Sequence, residues 1–322
     1  LGGGVYCYSG TPTLIDCVIV GNVTTYTYGT GGGLYADCSN PNLTNCTIND
    51  NIACHAGGGV YCLASDVILI DDTIAGNTVA GAEGRGGGVG CEDYSSATLT
   101  NCLISGNVAS DEYGAGGGVY CSWYSDATLT NCTVVHNIAA NAGGMYCYHS
   151  SVALVNCILW ANTPQQAHAY GGSTLVRYCD VQGGWSGTGN IDADPLFRDP
   201  DGPDDDPNTV GDNDYRLAFD SPCLDVGDNS VVPAGSLDLD GHPRIARFVV
   251  DMGAYEIPFG DLDCSGTIDF GDINPFVLVL SNPPAYAQMY PDCPPPHGDL
   301  DANGEVGFGD INPFVAVLTG GK

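Results

Sequence analysis

The chain has 322 residues, long enough for several domains or for one long single-core architecture. Seven Lys and Arg stand against 38 Asp and Glu, a net charge of −31. That charge excludes a nucleic-acid binder, since nothing here can neutralise a phosphate backbone, and argues against an anionic membrane surface; no apolar run approaches the ~18 residues needed to span a bilayer.

In chain order, the first feature is a repeat. A glycine run leads into an apolar residue at Gly4-Val5, Gly33-Leu34, Gly59-Val60, Gly88-Val89, Gly118-Val119 and Gly144-Met145, so the steps are 29, 26, 29, 30 and 26 residues. A second landmark keeps the same phase: Leu14-Ile15-Asp16-Cys17, Leu43-Thr44-Asn45-Cys46, Leu69-Ile70-Asp71-Asp72, Leu99-Thr100-Asn101-Cys102, Leu129-Thr130-Asn131-Cys132 and Leu154-Val155-Asn156-Cys157. A third is Asn22, Asn51, Asn77, Asn107, Asn137 and Asn162. Each unit reads as short β-branched strands between Gly or Asn turns. One unit cannot bury its own apolar face, but stacked units can. Stacking predicts an internal file of Val5, Leu34, Val60, Val89, Val119 and Met145, with Cys7, Ala36, Cys62, Cys91, Cys121 and Cys147 on the same face. Tyr6, Tyr35, Tyr61, Tyr120 and Tyr146 then point outward, and the turn asparagines bond between units.

These three landmarks resemble the right-handed parallel β-helix repeats of bacterial surface proteins, including the polymorphic outer-membrane type, over residues 1–180. Six coils at ~4.8 Å each imply a rod of roughly 30 Å.

Sixteen cysteines without C-x-x-C spacing point to disulfides and an oxidising, extracellular compartment. Coil three has Asp72 in place of its second cysteine and gains Cys54 near Cys62, as pairing requires. The expected bridges are 7–17, 38–46, 54–62, 91–102, 121–132, 147–157, 179–223 and 264–293. The alternative is free thiols stacked as small apolar residues. The chain opens on Leu1 with no leader, so it reads as a processed or truncated secreted protein.

From 181 to 258 the repeat fades. Segments such as Asp192-Ala193-Asp194-Pro195-Leu196-Phe197 and Val250-Asp251-Met252-Gly253-Ala254-Tyr255-Glu256 resemble the region that follows β-helices in bacterial proteins with surface-anchoring tails. It is expected to add a coil or two and then cover the open end. Asp199, Asp201, Asp204, Asp205, Asp206, Asp212 and Asp214 form a solvated acidic loop or, in the sharper reading, a calcium clamp.

The tail, 259–322, carries the most specific chemistry. Asp261–Asp272 and Asp299–Asp310 both place oxygen ligands at positions 1, 3, 5 and 12, Gly266 or Gly304 at position 6, and a backbone carbonyl at 7. That is the pattern of an EF-hand-like calcium loop. Each loop runs into Ile-Asn-Pro-Phe-Val; Asn274 and Asn312 fit an N-cap, and Pro275 and Pro313 fit the first helical position. The duplicated loop and helix resemble a type I dockerin. The resemblance implies two Ca2+ sites, one made by Asp261, Asp263, Ser265, Thr267 through its carbonyl, Asp269 and Asp272, the other by Asp299, Asp301, Asn303, Glu305 through its carbonyl and Asp310. Gly307 leaves place 9 of the second loop to water. It also implies a cohesin-type partner met by Phe270-Gly271 and Phe308-Gly309 in two equivalent poses.

Catalysis is not expected. The β-helix region holds only Arg85 and Arg177 and no Lys. Asp71-Asp72 sits at a structural turn, Glu92-Asp93 and Asp111-Glu112 read as solvated acids, and His55, His136, His149 and His168 lack ligand spacing. The expected fold is therefore mainly β, a right-handed parallel β-helix solenoid followed by a small α-helical, calcium-binding, dockerin-like domain. The expected role is extracellular, structural or adhesive, with assembly through a cohesin-type protein or head to tail with another copy into fibres. A polysaccharide is a further candidate partner, through the Tyr file with Trp123, Tyr124 and Tyr148. The competing class is a carbohydrate-active enzyme carried by its tail.

Overall fold

The computed structural model describes residues 2–319 apart from Asn208, Arg247, Gly266, Asp292, Pro294 and Ala302. Leu1 and the expected loop glycine Gly266 lie outside the described residues.

The chain winds into a parallel solenoid. Three seven-stranded sheets run its length, beginning with Val5–Gly10, Thr13–Ile15 and Val18–Val20 and ending with Ala167–Tyr170, Thr174–Arg177 and Asp180–Val181. A four-stranded sheet, from Ile52–Ala53 to Ile138–Ala139, adds a short fourth side. Every strand of these sheets pairs with its counterpart one coil away, in register: Val60 faces Val89, Val89 faces Val119, and Val119 faces Met145. The last strand in each seven-stranded sheet forms a seventh coil, which the six glycine runs do not mark. Inside lie three apolar files, represented by Val89, Leu99 and Ile104, all fully buried. Burial of each such side chain contributes about 1.5–3 kcal/mol relative to exposure.

The glycine runs have two steric causes. Gly57 and Gly86 adopt φ of +59° and +64°, the left-handed region that side chains disfavour. At Gly58 a Cβ would lie 2.3 Å from the Gly87 carbonyl oxygen of the next coil.

Polar files hold the corners. Asn51, Asn77, Asn107 and Asn137 are fully buried. The Oδ1 of Asn107 accepts both the backbone N–H (3.0 Å) and the Nδ2 (2.9 Å) of Asn77, while its own Nδ2 donates to Ile74 O and Asn137 Oδ1. The file passes on through Gln166, whose Oε1 accepts from Asn162 N and Nδ2 and whose Nε2 donates to Gln182 Oε1 at 2.9 Å. A second file uses serine: the N–H groups of Ser39, Ser65, Ser95 and Ser125 each donate to the hydroxyl one coil on. A third joins the left-handed turn residues, as in Asn156 Nδ2 to Asn131 Oδ1 at 2.9 Å.

The cysteines correct the pairing scheme. Only Cys264–Cys293 is bridged, and the other fourteen are free. The reason is stacking. Cys62, Cys91, Cys121 and Cys147 form one buried file on the first sheet. Cys46, Cys102, Cys132 and Cys157 occupy the turn between the second and third sheets, where Cys102 Sγ donates to the Leu69 and Thr100 carbonyls. Asp72 stands in that second file, fully buried, accepting the Cys46 N–H at 2.6 Å. Burial pushes its carboxyl up to about 7.

The tyrosine file is also corrected. Its rings do leave the core, but Tyr35, Tyr61 and Tyr120 are buried against one another and their neighbours, with Tyr120 stacked on Tyr146 at 5.8 Å.

The middle segment covers the end only briefly. Ile191 exchanges backbone bonds with Cys179 and Val181, and Trp185 packs on the solenoid core. The chain then turns back along the third sheet instead of adding further coils. Tyr215 packs with Leu103 and Val135, Ala254 N donates to Thr133 Oγ1, and Leu237 O accepts from Asn101. Leu103, Val135, Ile158 and Trp160 face outward on that sheet, and the returning segment covers them. The acidic stretch lies on this returning segment, beside the antiparallel pair Phe197–Asp199 and Asp214–Leu217. Among the described residues no three of its carboxylates converge.

The tail has its own core of Leu262, Phe276, Val279, Tyr286, Leu300 and Phe314, with Phe276 and Phe314 stacked at 4.2 Å. Its helices are α1 (Ile273–Ser281), α2 (Pro283–Met289) and α3 (Ile311–Leu318). Asn274 and Asn312 are not N-caps. Short 3₁₀ turns at Phe270–Asp272 and Phe308–Asp310 start each helix earlier, so both Asn-Pro pairs fall within the first turn.

Asn107→Ala strands buried donors and acceptors on both neighbouring coils, at about 1–3 kcal/mol each, and is expected to lower the urea midpoint without changing the slope. Asp72→Cys restores the file. A carboxyl with a raised folded pKa loses stability for the fold as pH climbs from about 4 to about 7, so the gain is expected to be largest at pH 8, at most ~4 kcal/mol, and to shrink by pH 5 in paired thermal melts. Alkylation of the unfolded, unreduced chain is expected to label fourteen thiols; mass mapping that finds eight bridges refutes the stacked arrangement.

Candidate metal centre

The two tail loops fold alike because they bond alike. In the first, Asp272 Oδ1 accepts from Leu262 N (2.7 Å) and Asp263 N (3.1 Å), and its Oδ2 from Asp269 N (2.8 Å). In the second, Asp310 Oδ1 accepts from Leu300 N (2.7 Å) and Asp301 N (2.9 Å), and its Oδ2 from Gly307 N (2.7 Å). Each loop is cinched by the last carboxylate of its own motif. Gly304, at φ +92°, supplies the turn that a side chain would strain.

This cinching gathers three acids per loop. Ligand oxygens of Asp261, Asp263 and Asp272 lie within 4.8 Å of one another, as do those of Asp299, Asp301 and Asp310. Burial pushes the Asp272 carboxyl up, against the pull of its N–H donors. Three carboxylates so close repel unless a cation sits among them, and an all-oxygen set suits a hard divalent ion.

The remaining expected ligands lie around these trios. Ser265 donates its hydroxyl to Thr267 O at 3.2 Å, and its N–H to Asp261 and Asp263. Asp269 accepts from Gly271 N at 2.6 Å, capping the 3₁₀ turn. Asn303 Oδ1 accepts from Glu305 N at 2.9 Å, and the Glu305 side chain is exposed.

The apolar surface of the tail is duplicated too. Phe270 and Phe308 are 76% and 87% exposed, and Ile273 with Ile311, and Val277 with Val315, repeat the pairing.

On the solenoid, Glu92 departs from its expectation as a solvated acid. It is buried, accepts from Tyr61 OH at 2.8 Å and pairs with Arg85 at 3.1 Å, while Arg85 lies 5.9 Å from the Tyr120 ring centroid. The repeat register places Glu92 opposite Leu63, beside Tyr61, so the phase of the glycine runs carried this contact unread. Asp71 is a left-handed turn residue bonded by Asn101, and Asp111 accepts from Glu83 N. Exposed Tyr94 and Tyr124 stack at 5.4 Å, next to Trp123, Tyr148 and Tyr170.

No curated protein matches the chain. Among solved structures, a crystal structure of pectate lyase Pel9A is similar in fold, at 12% identity and a TM-score of 0.33, covering 70% of this chain and 72% of that one. The expectation that the chain is not an enzyme does not stand, since a right-handed β-helix leaves catalysis open. A family model described as right handed beta helix region matches residues 3–184. With more than half its length inside that match, the chain belongs to the right-handed β-helix family.

Proposed function

We propose that the tail is a calcium-loaded, dockerin-like module that fixes the β-helix to a cohesin-type partner protein outside the cell. The observation that carries this reading is the duplication of chemistry and surface together. Each carboxylate trio is followed by the same exposed Phe, Ile and Val. Calcium in each loop neutralises the trio and holds the following helix at a fixed angle, so the apolar pairs present one docking face twice. The Cys264–Cys293 bridge supports an oxidising, extracellular setting.

A second reading concerns the solenoid. The exposed aromatic group around Tyr94, Tyr124 and Trp123 offers flat rings on which sugars stack. Tyr94 follows Glu92, a member of the Tyr61–Glu92–Arg85 group, by two residues along the chain. Under this reading the rod holds a polysaccharide, and turnover would make the chain a carbohydrate-active enzyme delivered by its tail.

Titration calorimetry is expected to show two calcium ions bound per chain, one after Asp310→Ala, and none after Asp272→Ala with Asp310→Ala. At calcium a hundredfold above Kd each site adds about 2.7 kcal/mol to the stability of the tail, lost on addition of EGTA. Immobilised cohesin-type domains are expected to retain the chain in calcium and release it in EGTA, and Phe270→Asp with Phe308→Asp is expected to abolish retention. Calcium-dependent self-association in sedimentation, with no retention by any cohesin-type domain, assigns the face to a second copy instead. A polysaccharide panel is expected to show binding weakened at least tenfold by Tyr94→Ala with Tyr124→Ala; product release that Glu92→Gln removes establishes turnover.

A further inference from the structure

The tail holds a third group of ligand atoms, distinct in chemistry from the calcium loops. Sulfurs of Cys264 and Cys293 and a ring nitrogen of His297 lie within 4.8 Å of one another. Cys264 is exposed, at place 4 of the first loop, whereas Cys293 and His297 are buried.

The imidazole is held from three sides. Its Nδ1 bonds the backbone oxygen of Asp261. Phe219 lies against the ring, with centroids 3.7 Å apart. Its Nε2 faces Cys264 Sγ at 3.8 Å. A proton on Nδ1, donated to a carbonyl, leaves the Nε2 lone pair directed at the sulfurs. That arrangement, one ring nitrogen on a backbone carbonyl and the other free to coordinate, is how proteins orient a metal-bound histidine. Cys264 and His297 also line a cleft of about 380 Å³ between the tail and the returning segment. A fourth coordination position is thus open to water.

We infer that Cys264, Cys293 and His297 form a zinc site when their disulfide is reduced. A dithiol reductant supplies two electrons and two protons, closing its own disulfide, and the Cys264–Cys293 bond breaks to give two thiols. Zn2+ then displaces both thiol protons, forming two Zn–S bonds and one Zn–N bond, with water from the cleft in the fourth position. Thiolate and imidazole select this ion over calcium, and the oxygen loops select the reverse, so the tail sorts two metals within one small domain. His297 ties the sites together, because the carbonyl it bonds belongs to Asp261, the first acid of loop one. The inference does not depend on a docking partner.

The test uses the full chain, saturated with calcium and treated with a phosphine reductant that does not compete as a thiol. Cobalt(II) is the probe. The reduced chain is expected to take up cobalt with a thiolate-to-cobalt charge-transfer band, and equimolar Zn2+ is expected to bleach it. The oxidised chain is expected to show no band. Cys264→Ser, with an unchanged far-UV circular dichroism spectrum showing that it is folded, is expected to lose the band and to weaken zinc binding at least tenfold. Absence of the band in the reduced chain overturns the inference. So does a band of equal strength in Cys264→Ser, which would assign the metal to solenoid thiols. Cobalt entering the oxygen loops gives no such band, so failure of the calcium reading is separately visible as absent calcium uptake.

Discussion

Parallel stacking in strict register is the constraint on which this molecule depends. Once every strand lies over its counterpart, each buried polar side chain meets a copy of itself about 4.8 Å away. An amide is suited to that position, because it both donates and accepts along one axis. Asn107 gives to one neighbour what it receives from the other, and no buried group at that corner is left without a partner. The serine file meets the same requirement with a hydroxyl and a backbone N–H. A buried polar column therefore stabilises the solenoid where isolated polar groups would weaken it.

The same rule explains the cysteines. Stacking rewards like on like, and a thiol fills a small apolar space without demanding a hydrogen bond. Asp72 is the exception in its file. It retains one N–H donor and loses hydration of its charge, the opposite balance from the tail carboxylates, which lie close together where a cation can reach them. Identical residue types thus serve unlike ends according to whether solvent or a metal can approach.

Much of the solenoid was legible because its repeat is a physical necessity repeated at intervals of 26 to 30 residues. Gly58 cannot tolerate a Cβ, and Asn77 cannot be replaced without orphaning its neighbours, so both recur visibly. The serine corner escaped notice because Ser39, Ser65 and Ser95 sit amid other small polar residues, with nothing local to mark them. The disulfide scheme failed because proximity along the chain was read as proximity in space; the turn between Cys91 and Cys102 sends them to separate files. The fold-back of 193–258 was hidden for a related reason. Its contacts, such as Tyr215 on Val135, join segments with no shared period. In the tail, the acids of each trio were readable from loop spacing, whereas His297 required the fold to bring it back to loop one.

The Asn file is directional, since each amide donates toward the following coil and Gln166 hands the series on to Gln182. A column built this way can accept a new member anywhere along its length without altering either terminus. The returning segment grips the flank around Leu103, Val135 and Ile158, in the later coils. Duplication of one whole early repeat would therefore lengthen the rod by about one coil rise, ~4.8 Å, while the tail stayed seated. Reach, for this architecture, is a quantity that changes in whole steps and at little risk to the rest of the fold.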